Sequence, residues 1–283
     1  MAKREYLKPT TLHEAVEILA AAPGRRIVAG GTDLMVYIRE GKEAPAALVD
    51  VTAIPELNGV QKLGDGALAV GAAMTHSMIG SDPDIRAVAP VLSDASSSVG
   101  AVQIRNLATI GGNVVNGAVA ADTLSALAVL DAAFLTFGPE GEKRYTIEEF
   151  FLAPGKTAVG VGEVLTKILI PAQPGASHAF IKVARRRAAA ISRLAVSVIA
   201  NPDGGYARIA VGAVLPKPGR ITPAEEALKE GFDLAAAKAA GEAAKAHVLS
   251  ISGERPSMVY KLPVVSSAVE KAVIKALSLR EVK

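Results

Sequence analysis

The sequence predicts an α+β protein of two domains, and two observations lead to this fold class. First, the chain has 283 residues, of which 50% are hydrophobic. It is therefore longer than one typical domain of about 150 residues and has enough apolar material for a packed core. Second, short strand-like and helical runs alternate up to residue 175, whereas residues 176–283 begin with three strand-like runs and end in helices. The predicted linker is the segment 171–175, which contains two prolines and a glycine.

The first domain, 1–175, is predicted to start with a short strand at 4–7 and a helix capped by Thr11. The Thr-x-x-Glu spacing from Thr11 to Glu14 is a capping box in front of an amphipathic run. Apolar runs then indicate strands at 25–29, 47–51, 68–71, 134–137 and near 144–145. Helices are predicted from Asp33 to Glu40, over 84–99 and from Asp122 onward.

The second domain, 176–283, is smaller and is predicted to contain a three-stranded antiparallel sheet covered by helices. The strand-like runs lie at 179–184, 194–200 and 206–215, and a hairpin turn sequence, Asn-Pro-Asp-Gly-Gly at 201–205, joins the last two. Helical runs follow at 223–229, 233–248 and 256–279. Strands that are followed by helices in this order are typical of an α+β domain.

The composition excludes several classes of chemistry. The chain has no cysteine, so it cannot form a disulfide, a thiolate zinc site, a cysteine nucleophile or an iron–sulfur cluster on its own sulfurs. Its four histidines are dispersed, which argues against a histidine metal site. A net charge of +3 with 4% aromatic residues does not indicate a nucleic-acid surface. Any chemistry must therefore use a bound organic cofactor or the side chains of Asp, Glu, Lys, Ser and Thr.

The sequence predicts neither a membrane span nor export. Its longest charge-free stretches, 66–81 and 106–121, are shorter than the roughly 20 apolar residues that a spanning helix needs. The first fifteen residues carry charges but no apolar core follows them, and no twin-arginine pattern is visible. A cytoplasmic location is expected.

A first pair of glycines follows a predicted buried strand and precedes a helix start. Glycine tolerates positive φ and lets a ligand approach the backbone, where exposed N–H groups can bind phosphate oxygens. The alternative is a plain tight turn with a Thr/Asp helix cap. The pattern is neither a GxGxxG fingerprint nor a P-loop. The residues of this candidate loop are Ile27, Val28, Ala29, Gly30, Gly31, Thr32, Asp33 and Leu34.

A second candidate glycine turn is formed by Thr109, Ile110, Gly111, Gly112 and Asn113. Two such turns, each after a strand-like run, could face one pyrophosphate from two sides. Asp122 follows nine residues after Asn113 and could accept a hydrogen bond from a ribose or ribityl hydroxyl. Alternatively, these residues form turns and Asp122 caps a helix.

Four ordered motifs resemble one protein family. They are IVAGGTDL, IRNLATIGGNVVNGAVAADT, VLTKILIP and FIKVARRR, and they resemble the FAD-binding subunit of molybdenum hydroxylases. This family includes the medium subunits of carbon monoxide dehydrogenase and of xanthine-dehydrogenase-like enzymes. The resemblance extends to the start of the chain and to residues 257–261. It implies a PCMH-type FAD-binding domain over 1–175 and the family's C-terminal domain over 176–283.

The resemblance also implies roles for individual residues. It assigns 27–34 to one FAD pyrophosphate loop, 109–113 to a second, and Asp122 to a polar contact after it. Val99 lies where the family places an apolar or aromatic flavin contact, and Leu165 and Lys182 match positions on the isoalloxazine side. A cation near the N1/C2 carbonyl region would stabilise the anionic reduced ring. The alternative for Lys182 is a surface lysine at a strand end.

The chain departs from the family pattern after Lys182. The family often has an acidic residue in a pattern of the type K-x-x-x-R-x-x-x-D, whereas this chain has Arg at 185–187 followed by Ala at 188–190. The missing carboxylate leaves the flavin surroundings more positive. This should raise the reduction potential of the flavin or alter how the electron acceptor reaches it. It puts the use of NAD in doubt more than the binding of FAD. The arginine run is interpreted as a solvated face or a subunit contact.

The implied function is electron transfer through non-covalent FAD, with no catalytic residue of its own. The implied partners are a molybdopterin-binding large subunit, a [2Fe-2S] small subunit and an external electron acceptor. The expected docking elements are 185–187 and a stripe on the last helix, with Met258, Val259, Leu262, Val264 and Val265, although such a stripe is often core. Two alternatives are a free-standing flavin oxidoreductase of the same fold and a scaffold subunit without flavin.

Overall fold

The computed structural model describes residues 5–186 and 188–279, and the chain starts with a small parallel sheet. Its strands are β1 (Glu5–Leu7), β2 (Arg25–Val28) and β3 (Ala47–Asp50), with β3 in the centre. Helix α1 (Leu12–Ala21) connects β1 to β2, and α2 (Leu34–Arg39) follows β2. The predicted cap is confirmed, since Thr11 Oγ1 accepts from the Glu14 N–H at 3.2 Å. The Glu14 carboxylate accepts from the Thr10 N–H at 2.7 Å.

The next strands form an antiparallel sheet and a short ribbon. In chain order they are β4 (Val60–Lys62), β5 (Leu68–Gly71), β6 (Ala133–Gly138), β7 (Gly141–Tyr145), β8 (Phe151–Ala153), β9 (Lys156–Thr157) and β10 (Val164–Ile170). The sheet order is β4-β5-β10-β6-β7, and β8 pairs with β9 in a separate two-stranded ribbon. The last strand of this part, β10, therefore lies between β5 and β6, which joins the two halves of the sheet.

Short helices cover this sheet and bury its apolar face. They are α3 (His76–Ser81), α4 (Pro83–Val88), α5 (Pro90–Ser97), α6 (Val102–Arg105), α7 (Ile110–Asn116), α8 (Asp122–Val129) and α9 (Ile147–Phe150). The single helix predicted over 84–99 is two helices, because Pro90 lacks a backbone N–H and begins a new helix at its first turn. All eight residues of α8 are buried, so this helix lies in the centre of the molecule.

The C-terminal part has the predicted antiparallel sheet, in the order β11 (Ser177–Ala184), β12 (Ser192–Asn201), β13 (Tyr206–Gly212). The predicted hairpin is confirmed, with Asn201 opposite Tyr206. Three helices follow, α10 (Thr222–Glu226), α11 (Leu234–Ser252) and α12 (Met258–Ala276). The overall α+β class is as predicted. None of the described helices combines the length and the apolar character needed to cross a bilayer.

The C-terminal sheet is buried on both faces. Alternate residues of a strand point to opposite faces, and Val196 and Val198 of β12 belong to the core shared with α11 and α12. Ala195 and Ile199 belong instead to the core of the N-terminal part, together with residues of α5 and α8. Residues 176–279 therefore pack against the first part through an apolar face, and the division at 175 stays a prediction.

The apolar stripe of α12 is mainly a core face, which corrects the expected docking surface. Met258 and Val265 are 2% and 0% exposed and belong to the C-terminal core. Leu262 and Val264 are partly buried and pack against the same core. Val259 alone of the five is exposed, at 83%. Burial of apolar surface explains why a helical stripe at this spacing serves the core. Arg185 and Arg186 are exposed, and residue 187 lies outside the described residues.

Candidate functional site

The first glycine loop connects β2 to α2 and contacts the second glycine segment directly. A Cβ atom on Gly30 would lie 2.0 Å from the carbonyl oxygen of Leu107, so no side chain fits there. Gly31 has φ +67°, a backbone conformation that residues other than glycine rarely adopt. The backbone of the loop can therefore lie against residues 107–108 because residue 30 is glycine.

The backbone N–H groups of this loop are available to a ligand. Those of Gly30, Gly31 and Thr32 donate to no acceptor within residues 5–186 and 188–279. Consecutive free N–H groups in a turn form a concave donor set that suits phosphate oxygens. The loop thus fits the pyrophosphate role that the sequence predicts for 27–34.

The second glycine segment is a helix start rather than a turn after a strand. The residues before it form the short helix α6, and α7 begins with Thr109 as its cap, whose Oγ1 accepts from the Gly112 N–H at 3.1 Å. Gly112 does not have positive φ. The predictions of a preceding strand and of a glycine turn at this segment are therefore wrong.

The N–H groups of the second segment are already used inside the protein. The Gly111 N–H donates to the Ala72 oxygen at 2.8 Å, and the Ile110 N–H donates to the Met74 oxygen at 2.9 Å. Thr109 also forms an isolated bridge with Thr75. The Gly112 and Asn113 N–H groups donate to Thr109, so the segment offers no free backbone donor of its own at 110–113. Its predicted contact with the cofactor stays a prediction.

A side-chain hydrogen bond ties the two glycine segments together. Asn116 Nδ2, at the end of α7, donates to Asp33 Oδ2 at 2.9 Å. Asp33 precedes α2 but its side chain does not cap that helix, which corrects the alternative of a plain cap. Gly117 follows with φ +56° and ends α7 in the left-handed conformation. Sequence reasoning missed Asn116, although it lies within the quoted motif.

Asp122 and Lys182 form a buried ion pair. Lys182 Nζ lies 2.6 Å from Asp122 Oδ2, and their side chains are 16% and 6% exposed. The same Nζ donates to the Ser98 carbonyl oxygen at 2.8 Å, and the Ser192 hydroxyl donates to Asp122 Oδ1. Asp122 is the first residue of α8 and does not cap it. The alternatives of a helix cap and of a surface lysine are therefore wrong.

Burial and hydrogen bonding act in opposite directions on the Asp122 carboxyl group. Burial raises the pKa of Asp122 above its usual value, and the hydrogen bonds from Lys182 and Ser192 counteract part of this shift. A hydrogen bond from the Ser98 side chain acts in the same direction, so three neighbouring side chains favour the ionised carboxylate. Neither Ser98 nor Ser192 carries a signal in the sequence that would have identified it.

Val99 and Leu165, the remaining predicted residues, differ in their surroundings. Val99 is half-buried and directly follows Ser98, so it lies near the Lys182 ammonium group. Leu165 lies in β10, is 5% exposed and belongs to the main hydrophobic core. The structure thus brings Asp122 and Lys182 together beside the segment that contains Val99, whereas Leu165 is a core residue. Their contacts with the flavin stay predictions.

A buried histidine lies beside the second segment. His76 is fully buried, and neither ring nitrogen has a hydrogen-bond partner among the described residues. Its backbone N–H donates to the Ala108 oxygen at 3.0 Å. Burial, together with the positive charge of Arg105, lowers the pKa of His76 to about 4. The ring is therefore neutral near pH 7 in the folded protein.

The lowered pKa of His76 predicts a loss of stability in acid. Between the ordinary pKa of 6.5 and about 4, the unfolded chain binds a proton at this residue and the folded chain does not. Stability from this group is therefore complete above about pH 6.5 and falls as the pH approaches 4. We expect wild type to lose about 2–3 kcal/mol more than His76→Leu between about pH 7.5 and pH 4.5 in urea unfolding. Equal losses would contradict a neutral buried ring.

Comparisons with known proteins identify the family of this chain. Residues 2–173 match the family described as FAD binding domain in molybdopterin dehydrogenase. The chain is 30% identical over 279 residues to the putative xanthine dehydrogenase FAD-binding subunit XdhB of Escherichia coli, covering 96% of each chain. It is 31% identical over 290 residues to the nicotinate dehydrogenase FAD-subunit of Eubacterium barkeri, covering 98% of this chain and 97% of the relative.

The fold agrees with solved structures as well. The carbon monoxide dehydrogenase of Hydrogenophaga pseudoflava contains a chain that superposes with a TM-score of 0.90 at 29% identity, over 98% of both chains. Quinoline 2-oxidoreductase of Pseudomonas putida 86 contains one with a TM-score of 0.90 at 26% identity. The free N–H groups at 30–32, the family match over 2–173 and the full-length relatives lead to one conclusion: this chain belongs to the family of FAD-binding domains of molybdopterin dehydrogenases.

Proposed function

We propose that this FAD-binding subunit of the molybdenum hydroxylase family relays electrons from an iron–sulfur partner through FAD to an external acceptor. The substrate would be oxidised at a molybdopterin centre in a large partner subunit, and a small [2Fe-2S] subunit would carry the electrons to this chain. The names of the relatives, which are FAD subunits of xanthine and nicotinate dehydrogenases, support this division of labour. The absence of cysteine supports it too, because a metal–sulfur step needs ligands from another chain.

The observation that carries the proposal is the free donor set of the first glycine loop. The N–H groups of Gly30, Gly31 and Thr32 would bind pyrophosphate oxygens, and the close contact of Gly30 with Leu107 fixes the loop. Bound FAD supplies chemistry that accepts and releases electrons. The protein's own contribution is to hold the cofactor and to place the positive charge of Lys182 near it.

The isolated chain tests this proposal. We expect it to bind FAD non-covalently, to be reduced by dithionite and to reduce artificial dyes. Because no step at a substrate is assigned to its residues, it should not oxidise purines, aldehydes or carbon monoxide until molybdenum and iron–sulfur subunits are added. The measurements are chromatography of the acid-released cofactor and dye reduction with each substrate.

Three outcomes would contradict the proposal in different ways. Cofactor that chromatographs as FMN would contradict the pyrophosphate role of the loop, because FMN carries a single phosphate. Flavin that stays with the denatured protein would contradict non-covalent binding. Oxidation of a substrate by the isolated chain would favour a free-standing flavin oxidoreductase.

A further inference from the structure

We propose that the end of the C-terminal sheet beside the start of α12 is a docking surface for an acidic redox protein, which serves as the external electron acceptor. This basic surface consists of the loop between β11 and β12, the first residues of β12 and the neighbouring start of α12. The inference rests on the proposed function, since it names the kind of acceptor that would take electrons from the FAD. The positive residues of the basic surface are Arg185, Arg186, Arg193, Arg255 and Lys261.

One contact joins the two parts of the basic surface. The Arg193 guanidinium, on β12, lies over the Tyr260 ring of α12, 5.5 Å from its centre, and this is a favourable cation–π distance. Ser192, which precedes Arg193, pairs with Ala184 at the end of β11. The loop that begins at Arg185 therefore lies next to the start of α12.

None of these five cations forms an ion pair within residues 5–186 and 188–279. Arg186 donates to the Ala189 carbonyl oxygen instead, at 3.0 Å. Burial, followed by the positive charges of Arg255 and Arg193, lowers the pKa of Lys261, so both arginines lie within electrostatic reach of this lysine. Clustered like charges repel one another and destabilise the fold. Such a cluster is therefore expected where a partner of opposite charge binds.

Exposed apolar side chains lie among these charges. Ile191 is 82% exposed and Val259 is 83% exposed, next to Tyr260 at 50%. Apolar and aromatic side chains together with arginine are typical of the centre of protein–protein interfaces. The apolar stripe of α12, in contrast, faces the C-terminal core, whereas a helix that binds a membrane exposes its apolar face. The basic surface therefore fits a protein better than a bilayer.

A series of hydrogen bonds connects the basic surface to the first glycine loop. Within α7, Asn116 donates to Asp33 of the glycine loop at 2.9 Å, and Asn113 accepts from the Thr123 hydroxyl of α8. The first residue of α8 in turn binds Lys182 on β11, and β11 leads directly into the loop of the basic surface. The basic surface and the candidate cofactor loop thus belong to one hydrogen-bonded framework, which favours a redox protein as the partner.

The charge of the basic surface decides what kind of acceptor it fits. Residues 185–191 read Arg-Arg-Arg-Ala-Ala-Ala-Ile, so the loop has no acidic residue that would repel a negatively charged protein. Complementary charge accelerates the encounter of two proteins and orients them. One reduced FAD holds two electrons, so it reduces two molecules of a one-electron carrier, and the protons that are released pass to water.

The experiment uses two one-electron carriers of opposite charge. Plastocyanin has an acidic surface patch, and cytochrome c has a basic one. The full chain is loaded with FAD, reduced with dithionite and mixed with each oxidised carrier, and the flavin absorbance gives the rate of reoxidation. We expect the plastocyanin rate to fall roughly tenfold between about 0.05 M and about 0.5 M salt, because salt screens the attraction between opposite charges. The cytochrome c rate should not fall.

Charge reversal tests whether these residues are responsible. Arg185 and Arg255 are exposed, and Arg185→Glu/Arg255→Glu should slow the reaction with plastocyanin roughly tenfold at low salt without slowing the reaction with cytochrome c. The matched control Arg144→Glu/Lys238→Glu changes the net charge equally at exposed residues of β7 and α11 and should keep most of the wild-type rate. Arg185→Gln/Arg255→Gln removes the charges without adding new ones, and it decides if the reversal variant fails to fold.

The outcomes separate this inference from the proposed function. A wild-type chain that binds no FAD overturns the proposed function, and this inference with it. A chain whose bound FAD is reduced and reoxidised, but whose reversal variant reacts with plastocyanin as fast as its control, overturns the docking surface alone. Reduction of NAD⁺ that depends on Arg185 and Arg255, or binding to phosphatidylserine vesicles that depends on them, would assign the surface to a nucleotide or to a membrane and would overturn the inference too.

Discussion

Gly30→Ala is expected to lower the free energy of unfolding by about 3 kcal/mol and to abolish FAD binding. The added Cβ would lie 2.0 Å from the Leu107 oxygen and 2.8 Å from the Ala108 Cα. These atoms cannot easily yield, because the Ala108 oxygen accepts from the His76 N–H at 3.0 Å and the Ala108 N–H donates to the Ile104 oxygen at 2.7 Å. The loop must therefore move, and its free N–H groups move with it. Urea unfolding and the flavin absorbance of the purified variant measure the two effects.

Gly112→Val provides the contrast in the second segment. Gly112 lies in α7 without positive φ, and a Cβ there would lie 3.1 Å from Thr109 Oγ1, with no other close contact outside its own helix among the described residues. The variant should therefore fold with a loss of less than about 1 kcal/mol. It should lose flavin, however, because the branched side chain would fill space that the cofactor needs. A Gly112→Val variant that kept stoichiometric FAD would show that 109–113 is not at the cofactor.

A Gly30→Ala variant as stable as wild type would contradict the close contact of the loops.

Arg220→Met is expected to lower the free energy of unfolding by about 3–5 kcal/mol, because it removes the partner of a buried carboxylate. Arg220 binds Glu225 through two hydrogen bonds of 2.9 Å and 2.6 Å, and the Glu225 side chain is 6% exposed. After the substitution, the Ile209 N–H at 2.9 Å is the remaining donor to Glu225 among the described residues. Arg220 also pairs with Asp131 at 3.1 Å, so the contact between the two parts of the chain weakens as well. Denaturant unfolding measures the loss.

The neighbouring ion pair on the surface is the matched control. Lys229 binds Glu226 at 2.6 Å, but the two side chains are 64% and 52% exposed. Exposed pairs contribute little because water solvates both charges, so Lys229→Met should cost less than about 1 kcal/mol. Similar losses in Arg220→Met and Lys229→Met would contradict the view that burial of Glu225 makes its pair important.

Local sequence patterns were sufficient for most helices and strands of this fold. The capping residue Thr11, the hairpin turn at 201–205 and the three-stranded sheet after it are confirmed. These features depend on neighbours in the sequence, such as a side-chain cap or the alternation of apolar residues. The break at Pro90 was missed because the apolar pattern continues across it, although proline at a first helical turn is a local signal.

For the candidate site as well, the sequence predicted some features and missed others. The two glycine motifs, with the family resemblance, identified both segments that lie together and the position of Lys182. They missed the helix start at the Gly112 segment, although its Thr109 cap is a local contact. The Ala72 and Met74 acceptors, in contrast, are tertiary contacts that no local pattern indicates. The sequence also could not distinguish a docking stripe from a core face on α12, since the same spacing serves both.

Asp122 shows most clearly where sequence reasoning ends. Its position after the second motif indicated a polar role, but its partners Lys182 and Ser192 are 60 and 70 residues away in the chain. The pair forms because α8 packs against the C-terminal sheet and buries both groups, and burial makes each charge require the other. The amino-acid pattern was thus enough to recognise the family and to identify the first glycine loop as a candidate site. The assignment of donors and acceptors around Asp122 depended on contacts between distant segments, which no local pattern encodes.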